Sequence, residues 1–499
     1  MSSIEQSRQV DRVLVSGMAW TAALRWSAQV VSWVGTALAA RILTPGDYGL
    51  IGMAMLAIGL VRMVEDFGMD AVLVQDRSIE GERQARVGGL VLLLGGVLSL
   101  AFIGLSTVIA GFFREPQVAL LISALSALCI ADAVQVIPRA QLQRRMEFRK
   151  LAWLQFLQVI VAQATLVTGA YLGWGVWALV FNTLAGSLAV TLLLIIWSPF
   201  QVRWPRELRQ LATPLLQGWR ILASRFAYYA YSSADQTVIG RVLGKDALGA
   251  YSFAMTFSTT ISQEISSVLS RVVPGVFSSV QQAPAELKRY FLVLTELLCY
   301  LALPVSLGMA VTADLVVELV LGPQWNAVIL PLRILCLYSA FYSCQVLIGH
   351  LLLWTGRFRV NMWCSILAAT LLPLACYVGS NWGLPGVAWG WTIVFPIVNV
   401  PAFVISFRAI QIRSMEWLAS FLPALTGCAV MVVVVLGVRA LLPSGMSLAL
   451  MTALSIASGA VSYCLTLLIL FRRRLLAMRD FLAVFRQGDR AGVESLAGA

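Results

Sequence analysis

Fourteen stretches of this chain are each apolar for about 20 residues or more, and that recurrence limits the fold more than any motif does. Inside a bilayer no water pairs with a peptide N–H or C=O, so a stretch of this length crosses as a helix whose backbone bonds are internal. The spans are read at about 13–40, 46–66, 84–112, 117–137, 150–173, 176–198, 212–240, 246–272, 287–312, 326–355, 360–380, 384–407, 416–438 and 446–471. The expected fold class is therefore all-α and polytopic. Composition agrees, because 59% hydrophobic and 12% charged residues exclude an ordinary soluble domain.

The N-terminus is polar (Ser2, Ser3, Glu5, Gln6, Arg8, Asp11, Arg12), and the first apolar stretch is too long for a signal h-region, so it reads as a retained helix. The eight cysteines fall within spans and show no metal-ligand spacing, which makes them small apolar packing residues. Of the 36 Lys and Arg, 26 lie in or beside the even-numbered connections and the two termini. Only five (Arg41, Arg114, Arg241, Lys245, Arg439) belong to odd-numbered connections, and five (Arg25, Arg62, Arg220, Arg225, Arg333) lie within spans. The positive-inside rule then puts both termini in the cytoplasm. The net charge of +12 is mostly topology, and nucleic acid is not an expected partner. Arg472, Arg473 and Arg474 suit anionic lipid headgroups.

Arg25 and Arg225 each stand near the centre of a span, where an arginine costs about 2.5 to 3.5 kcal/mol on insertion scales and more in simulations. They are 200 residues apart, and the same offset lays residues 41–55 over residues 241–255 without a gap. Extended back to residue 23, the alignment holds eight identities in 33 positions, including Arg25 with Arg225, Ser32 with Ser232 and Gly49 with Gly249. Composition alone gives roughly three. The offset covers six spans, an even number, so the two halves are expected to be parallel repeats with both arginines at similar depth.

Helical spacing gives each arginine company. Thr21, Arg25, Gln29, Ser32 and Thr36 share one face of span 1, and Arg225, Tyr229, Ser232 and Gln236 follow the same offsets on span 7. Such stripes line a wet cavity or glue helices together in a dry bundle, and for the neutral residues both remain open. Guanidinium groups in a cavity suit phosphate or carboxylate, and a diphosphate is one natural candidate. Arg220, about one turn from Arg225, adds a third cation, and Tyr228, Tyr229 and Tyr231 could offer flat faces to sugar rings.

Carboxylates within spans are fewer. Arg62 and Glu65 form an i, i+3 pair, Glu264 sits where it could neutralise Arg220, and Asp132, Asp235 and Glu296 are candidates for a coupling cation or a salt bridge. His350 reads as a satisfied bundle histidine. GRVLGKD at 240–246 lacks the spacing and the hydroxyl of a phosphate-binding loop, and no metal site or cofactor is expected. No long extracytoplasmic loop or nucleophile constellation suggests a membrane enzyme.

Four motifs carry a family resemblance: RILTPGDYGLIGMA at 41–54, DFGMDAVLVQ at 66–75, LQRRMEFRKLA at 142–152 and LGPQW at 321–325. The chain resembles bacterial polysaccharide transporters of the Wzx and colanic-acid-exporter (WzxC) type. These belong to the multidrug/oligosaccharidyl-lipid/polysaccharide superfamily, with the lipid II flippase and the multidrug and toxin extruders. The resemblance covers about the first twelve spans, so the last two extend beyond the shared core. It implies a V-shaped fold of two six-helix lobes, with a cytoplasmic N-terminus (1–12), an N-lobe (13–198), a linker (199–211), a C-lobe (212–408), two further helices (409–471) and a cytoplasmic tail (472–499). It also implies a monomeric inner-membrane flippase, not an enzyme, that moves an undecaprenyl-diphosphate-linked oligosaccharide to the periplasmic leaflet by alternating access. Membrane lipids, a polysaccharide polymerase and export machinery are the further partners it implies. Arg25 best matches a family cavity arginine, while Arg225 follows from the internal repeat and Arg220 from proximity. The rival readings are a multidrug antiporter of the same superfamily, which would place carboxylates where this chain has arginines, and a membrane glycosyltransferase or polymerase.

Overall fold

The computed structural model describes residues 3–66, 81–199, 203, 229, 232–279, 284–443, 445–476 and 478. Among these there are helices and turns and no strand, and nine helical segments are long and apolar enough to cross a membrane. In chain order the helices are α1 (Ser3–Ala40), α2 (Pro45–Asp66), α3 (Glu82–Phe113), α4 (Gln117–Leu125), α5 (Ala127–Arg144), α6 (Phe148–Tyr171), α7 (Val176–Trp197), α8 (Ala234–Val242) and α9 (Lys245–Ser279). They continue as α10 (Pro284–Val320), α11 (Ile329–Trp354), α12 (Phe358–Gly379), α13 (Gly383–Ala409), α14 (Ser414–Leu441) and α15 (Leu448–Leu470). Residues 1–250 form one compact unit and residues 251–499 another.

Four spans differ from expectation: α1 begins at Ser3, ten residues early, α9 runs on to Ser279, and the fourth and ninth spans differ as follows. The fourth, expected as one helix over 117–137, is interrupted at Ser126 and runs on to Arg144 through Pro138. At the break the Ser126 hydroxyl donates to the Ser123 carbonyl, 2.7 Å away, which offers the backbone a local alternative to the regular ladder. The ninth, expected to end near 312, continues as α10 to Val320. Its extension carries Asp314, whose charge is met by arginines from two other helices, as described below.

Two of the motifs are helix ends, and DFGMDAVLVQ lies, after Asp66, outside the described residues. In TPGD, Thr44 donates from its hydroxyl to Asp47 Oδ2 (2.7 Å), the same oxygen accepts the Thr44 N–H (2.9 Å), and the Asp47 N–H returns to Thr44 Oγ1 (3.3 Å). This is a reciprocal capping box, and Pro45 occupies the first helical position, where no N–H is needed. In LGPQW, Gly322 takes φ 100°, open to glycine, and closes α10 with its N–H on the Val317 carbonyl (3.1 Å). Pro323 then starts a 3-10 turn that buries Trp325 edge-on against Phe253, ring centres 4.4 Å apart.

The starts of α2 and α9 cross backbone to backbone. A Cβ at Gly49 would lie 1.8 Å from the Lys245 carbonyl oxygen, and one at Gly249 would lie 1.9 Å from the Pro45 carbonyl oxygen. Under the 200-residue offset these are one contact seen twice, since 49 maps to 249 and 45 to 245. Reciprocal pairing of this kind is what a two-fold relation between equivalent segments produces.

Within the first unit the connections meet at two ends. Lys245 at the start of α9 pairs with Glu115 between α3 and α4 (3.2 Å), and Arg241 donates to the Phe112 carbonyl while covering its ring. Asp47 at the start of α2 lies beside Gly175 between α6 and α7. At the other end Arg203 pairs with Glu82, its N–H bonds the Ala85 carbonyl (3.0 Å), and Gln141 joins Gln84 (3.3 Å) and Ser198. The odd-numbered connections therefore gather at one end and the even-numbered ones at the opposite end, as alternating spans require.

In the second unit α14 and α15 pack on α10. Tyr463 Oη donates to the Tyr300 carbonyl (3.0 Å), and Met431, Val435 and Leu467 join Tyr300 and Leu303 in one core. Asp314 ties three helices together: its Oδ1 accepts from Arg333 of α11 (3.1 Å) and Arg439 of α14 (3.2 Å), and its Oδ2 accepts a second bond from Arg439. Arg439 also reaches the Val311 carbonyl (3.0 Å). Bidentate charge-assisted bonds between parts of the fold are among the stronger polar contacts, at about 1.5 to 3 kcal/mol. Asp314→Ala is expected to lower the unfolding midpoint of the purified protein, and more than Arg333→Ala, because Arg333 gives a single bond. Equal midpoints for wild type and Asp314→Ala would show that α14 needs no such tie.

Candidate functional site

The α1 face builds upward from its packing. Ala28, Gly35, Ala39 and Ala40 are buried, and Gly35 meets Gln163 of α6 so closely that a Cβ there would lie 2.4 Å from Gln163 Oε1. On the other side Trp26, Val30, Trp33, Val34 and Leu38 are exposed, a large apolar face suited to lipid. Between these faces and bordering the buried seam runs the polar stripe, with Arg25 exposed and Gln29, Ser32 and Thr36 half-buried. Arg25 thus stands on the side of the helix turned away from the exposed apolar residues. A guanidinium so placed can meet an anion with a planar fork of donors, and it stays charged at any working pH.

Two residues beside α1 were not among the sequence candidates. Arg149 of α6 lies over the Trp20 ring, 5.4 Å from its centre, adding a second cation beside α1. Gln163 has a buried side-chain oxygen with no hydrogen-bond partner among the described residues. The signal for it was present: Gln155, Gln158 and Gln163 interrupt an otherwise apolar span, as Gln29 does on α1.

The span 7 candidates are only partly described. Arg220, Arg225, Tyr228 and Tyr231 lie outside the described residues, as does the side chain of Thr21. Tyr229 Oη donates to the Leu56 carbonyl of α2 (2.9 Å), and Gly59 leaves room for its ring. Ser232 Oγ donates to the Tyr229 carbonyl (3.2 Å). The structure thus brings Tyr229 against α2, with Ser232 bonded to its carbonyl. Asp235 is buried at the start of α8 and accepts the Gln236 N–H (2.8 Å).

The remaining carboxylates are dispersed. Asp132 of α5 accepts from Ser187 Oγ of α7 (3.2 Å), beside Gln135, which donates to Ser187 and Thr191. Glu296 of α10 accepts from Tyr300 Oη (2.6 Å) and pairs with Arg474 (3.6 Å), so in this structure it holds a salt bridge to the chain after α15. Glu264 is half-buried on α9, and the side chains of Arg62 and Glu65 lie outside the described residues. Among the described residues no cluster of His, Cys, Asp and Glu could hold a metal ion.

Similar proteins agree with this architecture. The chain is 25% identical over 408 residues to the lipopolysaccharide biosynthesis protein WzxC of Escherichia coli, covering 79% of this chain and 81% of that protein. It is 23% identical over 465 residues to the teichuronic acid biosynthesis protein TuaB of Bacillus subtilis (91% and 95%), and 22% over 400 residues to the succinoglycan biosynthesis transport protein ExoT of Rhizobium meliloti (80% and 81%). Among solved structures it superposes on the lipid II flippase MurJ in an inward closed conformation with a TM-score of 0.67, at 12% identity, over 91% of this chain and 99% of that one. An inward-facing multidrug transporter of the multidrug and toxin extruder family gives 0.59 at 14% identity, over 77% and 94%. These two likenesses establish the fold. The profile of the family described as "Polysaccharide biosynthesis protein" matches residues 38–330, more than half of the sequence, and takes in the capped start of α2, the α2/α9 crossing and the LGPQW turn. A multi-pass membrane protein with this fold and these helix-end motifs, the chain belongs to the polysaccharide biosynthesis protein family.

Proposed function

We propose that the protein is a flippase for an undecaprenyl-diphosphate-linked oligosaccharide, moving it from the cytoplasmic to the periplasmic leaflet of the inner membrane for surface polysaccharide assembly. The observation that carries this reading is a cation on the polar stripe of α1, in a family whose relatives are named for building lipopolysaccharide, teichuronic acid and succinoglycan. Arg25 binds the diphosphate, with Arg220 and Arg225 as partners from span 7, and Gln29, Ser32 and Ser232 add neutral hydrogen bonds. Tyr229 contributes its ring, since its hydroxyl is held by Leu56. Transport proceeds by alternating access, substrate favouring the inward-open state and release resetting it. The work is binding and movement with no covalent step. The fourteen spans form two parallel six-helix repeats and a terminal pair, and both termini are cytoplasmic.

Depletion of the protein followed by analysis of lipid extracts tests this. One lipid-linked oligosaccharide should accumulate in the inner leaflet, and its sugars name the substrate. Drug sensitivity without that accumulation would instead point to an antiporter. For orientation, cysteine labels at Arg145, Arg203 and Arg473 should react only from the cytoplasm, and one at Asn326, in the turn after α10, only from the periplasm. A periplasmic signal at Arg203 would overturn the parallel repeat.

A further inference from the structure

We propose that the second unit holds a resident anionic phospholipid in a groove between α13 and α14, its phosphate at Arg408 and Arg413 and an acyl chain along α13. The groove encloses about 780 Å³ and is apolar along most of its length, with a cationic end. On α13, Ile397, Val400 and Val404 follow one helical face, all exposed, and the next steps along that face are Arg408 and Gln411. A strip of exposed aliphatic side chains that ends in a guanidinium matches an acyl chain joined to an anionic headgroup. The opposite wall is aromatic: Trp417 of α14 packs edge-on against Phe403, ring centres 5.1 Å apart, and tryptophan favours the depth at which headgroups begin.

The cationic end is built by a turn. Gln411 takes φ 52°, a left-handed conformation unusual outside glycine, and its carbonyl is held by Lys288 Nζ (3.3 Å). This turn joins α13 to α14 and sets both arginines on the groove lining. The neighbouring carboxylate, Glu416, is taken by Lys288 (2.6 Å) and by the Arg413 backbone N–H (3.2 Å). Among the described residues neither Arg408 nor Arg413 is in an ion pair. The mouth therefore carries a net excess of positive charge, Arg408, Arg413 and Lys288 against Glu416, beside an apolar channel, complementary to phosphatidylglycerol and not to a zwitterionic lipid. The groove opens along the exposed face of α13, so its occupant comes from the surrounding bilayer, apart from any cargo bound at Arg25.

Native mass spectrometry of the full-length detergent-purified protein tests this, with phosphatidylglycerol and phosphatidylcholine of identical acyl chains as probes. Wild type should bind phosphatidylglycerol about 30-fold more tightly, roughly 5-fold per arginine. Arg408→Ala with Arg413→Ala should remove that preference, and the double lysine variant should keep most of it. Val400→Trp, which fills the channel and leaves both arginines, should weaken binding of both lipids. Equal binding of the two lipids to wild type would overturn the proposal. So would a preference that survives the double alanine variant but is lost on changing Arg472, Arg473 and Arg474, or a lipid displaced by a second copy of the chain. If the double alanine variant is not recovered folded, Val400→Trp decides alone, and unchanged phosphatidylglycerol binding to it overturns the site.

Discussion

Gly49→Val and Gly249→Val are each expected to deplete the folded protein from the membrane. At both positions the atom that a new Cβ would strike is a backbone carbonyl oxygen, at 1.8 Å and 1.9 Å, and neither can rotate away. Relief requires α2 and the start of α9 to separate, which opens the Gly49–Lys245 and Gly249–Pro45 contacts together. Overpacking a well-packed core costs about 1 to 3 kcal/mol, and a clash with backbone belongs at or above the top of that range. Even Gly49→Ala should destabilise, although alanine is the better helix former by about 1 kcal/mol. Gly96→Ala is the matched control: a Cβ there meets nothing within 4 Å, so the propensity gain should appear unopposed. Membrane abundance and the unfolding midpoint in detergent measure both. Normal abundance for Gly49→Val would mean that the crossing is looser than its geometry.

Arg25→Ala should have the opposite signature, with export lost and the protein intact. Arg25 is exposed on α1 and the seam against α6 is made by other residues, so truncation leaves the packing in place. Losing a charge-assisted contact to a phosphate forfeits about 1.5 to 3 kcal/mol, which corresponds to roughly 10- to 100-fold in affinity. Arg25→Lys should recover part of the activity, because an ammonium keeps the charge but not the fork. Arg225→Ala should behave like Arg25→Ala if the 200-residue offset pairs them. Polymer export, normalised to membrane protein level, is the measurement. Full export by the alanine variant of either would remove that arginine from the site.

The helices were legible in the sequence because hydrocarbon thickness sets their length, and an unbroken apolar run has one way to satisfy its backbone. For this reason α3, α6, α7 and α12–α15 begin and end within a few residues of their expected bounds. The misplaced end of α10 has a different cause. The expected end at 312 stops just short of Asp314, and only the fold shows that Arg333 and Arg439, 19 and 125 residues away, meet its charge. The polar stripe on α1 was legible, since helical spacing alone places Arg25, Gln29 and Ser32 on one face. The partner of Tyr229 was not, because the Leu56 carbonyl is supplied by another helix and no spacing within span 7 points to it. Gln163 was missed for the same reason: its environment is set by Gly35, across the α1/α6 seam.

The α2/α9 crossing has a mechanical consequence. Where side chains interlock, turning one helix against another means changing rotamers, and the interface moves in steps. At Gly49 and Gly249 the touching atoms are α-carbons and carbonyl oxygens, the geometry of weak Cα–H···O contacts, and there is no rotamer to change. Such a joint is held against compression by backbone atoms that cannot step aside, so any turn of one helix on the other has to be taken up by the side chains that flank it, Leu248 at Gly52 and Asp246 at Gly46.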